Sequence, residues 1–125
     1  MTAVPLLTPE LAERLRANAR LREPDPVPVV KLFNPAGAGT WLATELDEDG
    51  DTLFGLADLG FGCPELGSFS LAELRSLRLP FGLSIERDRS FSTRFALSAW
   101  AEAARSAGSL IVAEQVLAAR EEGDP

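Results

Sequence analysis

Hydrophobic residues near the start of the chain recur every four positions, which is the spacing of one face of an α-helix. The stripe consists of Leu11, Leu15 and Ala19. Before it, Thr8 can serve as an N-cap and Pro9 suits the first helical position. We therefore predict a first helix from Pro9 to about Arg20.

The pattern then changes to short apolar segments, rich in β-branched residues and separated by turn residues, which is typical of strands. The first predicted strand is Val27 to Phe33. The clearest signal is a β-hairpin formed by Thr40–Leu46 and Thr52–Leu59, because Asp49 and Gly50 between them favour a two-residue turn. This central hairpin, at 40–59, organises the predicted sheet.

The two-residue turn also predicts the register of the hairpin. The expected cross-strand pairs include Leu46 with Leu53, Glu45 with Phe54, and Trp41 with Asp58. Both faces of this hairpin carry apolar residues. We therefore expect it to be covered on both sides.

The second half of the chain mixes short strands and helices. Ser70 and Glu73 have the spacing of a capping box, which predicts a short helix from Leu71 to about Leu77. The other predicted elements are strands at Glu65–Phe69 and Leu83–Asp88, helices from Ser98 to Gly108 and from Ser109 to Arg120, and a polar tail at 121–125. This order suits an α+β fold, with a largely antiparallel sheet of about four to five strands and helices packed on it.

The length and composition indicate one domain. A chain of 125 residues with 46% hydrophobic residues can bury a core without metals or disulfides. We predict a single α+β domain at 1–108. Residues 109–125 are expected to form a C-terminal helix and tail that pack on this domain or extend from it.

Targeting signals are not visible in the sequence. No segment approaches the roughly 18 to 20 apolar residues of a membrane span, and the start lacks the pattern of a signal peptide. The single cysteine, Cys63, cannot form an internal disulfide, which agrees with a reducing compartment. We expect a cytoplasmic protein that does not bind membranes.

The chain is acidic, with 19 acidic and 12 basic residues and a net charge of −7. Phosphate backbones repel such a chain unless its basic residues gather on one face, and here the arginines are scattered. This argues against direct nucleic-acid binding and favours a protein partner. The oligomeric state stays open.

The chain contains no histidine. This removes the usual general base near neutral pH, the histidine-based nucleophile triads and the commonest zinc ligand. Without a histidine to activate it, Cys63 fits a small apolar filler better than a catalytic thiol. We assign no catalytic residue and expect no cofactor.

Three acidic residues in the hairpin turn, Asp47, Asp49 and Asp51, have the alternating spacing of a calcium-binding loop. The match is incomplete, because Thr52 stands where such a loop needs glycine for its sharp turn. We therefore interpret the segment as a solvated turn without a metal. The three carboxylates remain the alternative metal ligands.

Asp58 interrupts an apolar strand, so we expect its carboxylate to be mostly buried on the face shared with Trp41. A buried carboxylate needs compensation, for which the candidates are a backbone amide, the indole of Trp41, Lys31 or Arg87. Asp58 is then either a structural anchor or part of a functional cleft with Glu65, Glu86 or Asp88.

Several segments resemble one known family in combination. They are Lys31–Pro35, Thr40–Glu45, Asp49–Gly60, Pro64–Gly67 and Ile85–Asp88. Together they resemble the domain of unknown function 2958, over about Leu6 to Gly108. Members look like small bacterial proteins and polyprotein modules of plasmids, phages and integrative elements, so the resemblance implies a genomic context and no mechanism.

The residues that match the family pattern define a candidate functional cleft. They are Lys31, Trp41, Asp58, Glu65, Glu86, Arg87 and Asp88. Our leading hypothesis is an accessory protein of mobile genetic elements that binds a host or element protein, with an anti-defence role as one form of it. The alternatives are a carboxylate-based or divalent-metal-dependent enzyme, and a structural or oligomerising module that uses the last helix.

Overall fold

A computed structural model describes residues 5–123, which form four α-helices and one five-stranded sheet. The helices are α1 (Pro9–Leu21), α2 (Leu71–Ser76), α3 (Leu97–Ala107) and α4 (Leu110–Gly123). The strands are β1 (Val30–Phe33), β2 (Thr40–Leu46), β3 (Thr52–Asp58), β4 (Glu65–Ser70) and β5 (Glu86–Arg87). The last two residues of the predicted tail, and the first four of the predicted domain, lie outside the described range.

The strand order is β4-β3-β2-β1-β5, and every neighbouring pair is antiparallel. The predicted α+β class, with an antiparallel sheet and packed helices, is confirmed. The central hairpin of β2 and β3 occupies the middle of the sheet, and β4 and β5 form its two edges.

Helices cover both faces of this sheet, as its two apolar faces predict. One core contains Leu15 of α1, Leu74 of α2 and Trp41 of β2. The other contains Trp100 of α3 and Leu117 of α4, packed on the sheet. The C-terminal helix therefore belongs to the same packed body as the sheet.

The caps follow the sequence signals. The side chain of Thr8 accepts a hydrogen bond from the amide of Leu11 (3.2 Å), and that of Ser70 accepts one from Glu73 (3.2 Å). Gly108 ends α3 in the left-handed conformation, as a glycine C-cap commonly does. Local chemistry thus defines these helix ends.

The predicted hairpin register is only half right. Leu46 pairs with Leu53 and Glu45 with Phe54, which confirms the pairs next to the turn. Beyond an irregularity at Thr44 the register shifts by one residue, so Trp41 pairs with Ala57 and Thr40 with Asp58. The predicted pairing of Trp41 with Asp58 is therefore wrong.

The irregularity at Thr44 is a β-bulge with its own hydrogen bonds. The hydroxyl of Thr44 donates to the carbonyl of Phe54 (3.2 Å). The backbone carbonyl of Thr44 accepts a hydrogen bond from the side-chain amide of Asn18 in α1 (2.9 Å). Because these groups satisfy the polar atoms of the extra residue, the bulge is stable inside the sheet.

Two strands are shorter than predicted. β1 begins at Val30 rather than Val27, since Pro28 has no amide to donate to a ladder. β5 contains only Glu86 and Arg87, because the amide and the carbonyl of Leu83 are hydrogen-bonded to Pro80 and Leu79 in the turn after α2 and not to a neighbouring strand. These short strands leave part of the sheet edge uncovered.

Gly55 and Gly67 face each other across β3 and β4 and provide a matched test of packing. A Cβ on Gly55 would overlap the carbonyl oxygen of Leu42, whereas one on Gly67 would meet nothing within 4 Å. We expect Gly55→Ala to lower the free energy of unfolding by about 3 kcal/mol or more, at the upper end of overpacking costs. Gly67→Ala should be neutral or stabilising by up to about 1 kcal/mol. Urea unfolding measures both, and equal effects would contradict this account.

Candidate functional site

Asp58 is the most deeply buried carboxylate among the described residues, with 2% of its surface exposed. Its Oδ1 accepts a hydrogen bond from the amide of Gly60 (2.8 Å). Its Oδ2 accepts one from the amide of Leu110, the first residue of α4 (2.8 Å). The predicted burial of Asp58 is confirmed, and of the candidate partners the structure uses backbone amides.

The predicted location of Asp58 beside Trp41 is wrong. Trp41 belongs to the core under α1, whereas Asp58 contacts α4 on the other face of the sheet. The cause is the one-residue shift at the Thr44 bulge, since each shift of one residue moves a side chain to the opposite face. The positive N-terminal end of α4 compensates the carboxylate in place of the indole or a cation.

Lys31 and Asp88, two residues of the predicted cleft, do come together. The Nζ of Lys31 contacts Oε1 and Oε2 of Glu114 in α4 at 2.7 and 3.0 Å. It also lies 3.6 Å from Oδ2 of Asp88, and the Lys31 side chain is only 15% exposed. This ion-pair cluster connects β1, the end of β5 and the second turn of α4.

Glu114 was missed by the sequence analysis. It follows Ala113 and precedes Leu117 by three positions, and both of those are buried on the sheet side of α4. A glutamate beside a buried helical stripe can reach a cation on the neighbouring sheet. That position was the available signal.

The remaining residues of the predicted cleft lie apart from this cluster. Glu65 is exposed on β4 and Glu86 is exposed on β5, at opposite edges of the sheet. Four strand spacings separate those edges, or about 19 Å. Arg87 donates a hydrogen bond to the carbonyl of Pro5, and Trp41 is buried in the core.

The three carboxylates of the acidic turn already accept hydrogen bonds from nearby residues. Asp49 accepts from the Thr52 hydroxyl (2.6 Å) and from the amides of Thr52 and Asp51 (both 2.8 Å). These hydrogen bonds lower the pKa of the Asp49 carboxyl, and the bond from the Thr52 hydroxyl has the largest effect. Asp51 accepts from the Ser70 hydroxyl and the Ala72 amide (both 2.7 Å), and Asp47 accepts from Glu48 (2.8 Å). Within residues 5–123, no three metal-ligating side chains form a cluster.

Exposed apolar side chains occur in two segments that Asp58 links, the loop after β3 and the N-terminal half of α4. They are Leu59, Phe61, Ile111, Val112 and Val116, each between 38% and 83% exposed, and we call them the apolar patch. Asp58 joins the two segments, since it binds the amides of both Gly60 and Leu110. The carbonyl of Gly62 also lies against Gly108, at the turn before α4.

The neighbouring helix α3 shows what an ordinary solvent face looks like in this protein. Its exposed positions include Ser98, Glu102, Arg105 and Ser106, and its apolar residues face the core. By contrast, α4 has apolar residues on its outer side as well as its buried side. The exposed side of α4 also carries Gln115, so its large apolar residues are Ile111, Val112 and Val116.

Together, the fold and this site define a small α+β protein in which an antiparallel sheet lies between two helical layers and polar contacts hold an apolar helix. The chain belongs to the family described as Protein of unknown function (DUF2958), whose profile matches residues 6–111. Neither a curated protein nor a solved structure matches the chain. None of the helices in residues 5–123 is both long and apolar enough to span a bilayer.

Replacing Asp58 with asparagine tests the anchor. The side-chain amide would place a donor against one of the two backbone donors, leaving a buried group unsatisfied. We expect Asp58→Asn to lower the free energy of unfolding by about 1–3 kcal/mol. The exposed Glu48→Gln removes the same charge and should change it by less than about 0.5 kcal/mol. An unchanged stability for Asp58→Asn would contradict the anchor.

Metal titration tests the alternative of a metal site. We expect millimolar Mg²⁺, Mn²⁺ or Ca²⁺ to leave the melting temperature unchanged, because the carboxylates of Asp49, Asp51 and Asp58 already accept hydrogen bonds and Asp88 lies beside Lys31. A ligand that binds the native state raises the melting temperature. A rise that EDTA reverses would contradict our interpretation.

Proposed function

We propose that this protein acts by binding another protein through the apolar patch. The observation that carries the proposal is the exposure of five large apolar side chains around the start of α4, with Phe61 83% exposed. Where exposed apolar side chains form one surface on a domain, that surface marks an interaction site. Aromatic side chains such as Phe61 are enriched in the buried centres of protein interfaces.

The polar contacts behind the patch support this role. Asp58 fixes the start of α4, and Lys31 fixes its second turn through Glu114. A surface that is ordered before binding loses less conformational entropy when its partner arrives. The residues that the sequence analysis selected for chemistry would then act by positioning the binding surface.

The biological setting is part of the proposal. We propose an accessory protein of bacterial mobile genetic elements that works in the cytoplasm, with a host or element protein as its partner. The family resemblance supports the genomic setting, and the free thiol of the exposed Cys63 suits a reducing compartment. The net charge of −7 supports a protein rather than a nucleic acid as the partner. An anti-defence role would be one form of this function.

Two exposed phenylalanines allow a matched binding experiment. Phe61 belongs to the patch, whereas Phe81, 95% exposed, lies on the loop after α2. Affinity capture from a host lysate should recover a partner with the unmodified chain and with Phe81→Ser. We expect Phe61→Ser combined with Val112→Ser to weaken binding at least about tenfold, because truncating a central apolar anchor costs about 1 to 2 kcal/mol or more.

The controls separate this proposal from its alternatives. Circular dichroism and melting temperature verify that each variant folds. Recovery of the same proteins by the patch variant, or of none by the unmodified chain, would contradict the proposal. Sedimentation velocity tests the oligomerising alternative, which requires self-association that the patch variant loses.

A further inference from the structure

A concave surface lies at the opposite edge of the sheet from β4, beside β1. Strand β5 pairs only with Leu32 and Phe33, and the chain then turns away through a hydrogen bond from Phe91 to the Asp88 carbonyl (3.3 Å). Within the described residues, no strand lies beside Val29 and Val30 on this side. A cavity of about 330 Å³ opens there, between α1 and the end of β5.

The walls of this cavity combine an apolar floor with positive charge. The floor consists of Leu11, Val29, Val30 and Phe91. Two basic residues, Arg87 and Arg89, also line the cavity. Arg87 donates a hydrogen bond to the neutral carbonyl of Pro5, and within residues 5–123 it forms no ion pair.

The one acidic residue in this wall, Asp88, is already engaged. Asp88 and Arg89 follow β5, in the turn by which the chain leaves the sheet. The carboxylate of Asp88 lies 3.6 Å from the Nζ of Lys31 and accepts a hydrogen bond from the amide of Ser90 (2.9 Å). The lining therefore includes two arginines and one carboxylate that already has a cationic neighbour, in a protein with a net charge of −7.

We propose that this cavity binds a peptide carboxylate with an apolar side chain next to it. Guanidinium groups bind carboxylates through paired, charge-assisted hydrogen bonds, and the apolar floor receives the neighbouring side chain. An adjoining cavity of about 540 Å³ shares Val29 and Phe91 and provides space for the peptide to continue. The site is separate from the apolar patch and does not depend on it.

A carboxylate can come from an acidic side chain or from a chain terminus, and three labelled peptides distinguish these sources. All are short and rich in leucine and glutamine. The first has an internal glutamate and an amidated end, the second has a free C-terminus without glutamate, and the third has neither. In fluorescence anisotropy with the full chain, we expect one of the first two to bind at least about tenfold more tightly than the third.

Substitution of Arg89 tests the role of the guanidinium. Arg89→Gln should remove the preference for the carboxylate peptide, and Arg89→Lys should retain part of it, because lysine keeps the charge without the planar fork. Arg105→Gln, on the exposed side of α3, removes the same charge elsewhere and should leave binding unchanged.

Several outcomes would overturn the proposal. They are equal binding of all three peptides, no binding at millimolar concentration, an equal loss with Arg105→Gln, and displacement of the peptide by a single-stranded oligonucleotide. Circular dichroism verifies that each arginine variant folds. The patch variant Phe61→Ser with Val112→Ser should bind the carboxylate peptide normally, so failure of either site is recognised separately.

Discussion

The buried carboxylate of Asp58 is the interaction on which the arrangement of the C-terminal half depends. Moving an ionised carboxylate out of water costs several kcal/mol unless charge-assisted hydrogen bonds replace its hydration. Here the amides of Gly60 and Leu110 provide those bonds at 2.8 Å each. Any displacement of α4 from the end of β3 would remove one of them, so the position of α4 follows from the burial of this one group.

Local signals in the sequence were enough to predict most secondary structure. Thr8, Ser70 and Gly108 carry their capping chemistry within a few residues, and the structure uses all three in that way. The register of the hairpin could not be predicted equally well, because the bulge at Thr44 is stabilised by Asn18, 26 positions earlier in the chain. Contacts of that kind leave no trace in a short sequence window.

The candidate site shows the same division between local and distant information. The burial of Asp58 follows from its place in an apolar strand, and this part was correct. The grouping of Glu65 with Glu86 required the strand order, which puts them on opposite edges of the sheet. The contact between Lys31 and Glu114 spans 83 positions, so the place of Glu114 beside a buried helical stripe could suggest a cationic partner but not which residue it is. The sequence indicates which side chains need a polar or charged partner. Only the fold shows which partner each of them has.

The composition of α4 explains why polar contacts are needed at this place. An amphipathic helix such as α3 has one apolar side, so hydrophobic burial alone decides which side faces the sheet. α4 has apolar residues on both sides, and burial of Val112 and Val116 would gain only about 1.6 kcal/mol less than burial of Leu110 and Leu117, the contribution of two CH₂ groups. The Asp58 bond fixes the start of the helix, and the Lys31–Glu114 pair fixes its rotation. These two contacts therefore select the packed face, and they leave the other apolar face in solvent where a partner can reach it.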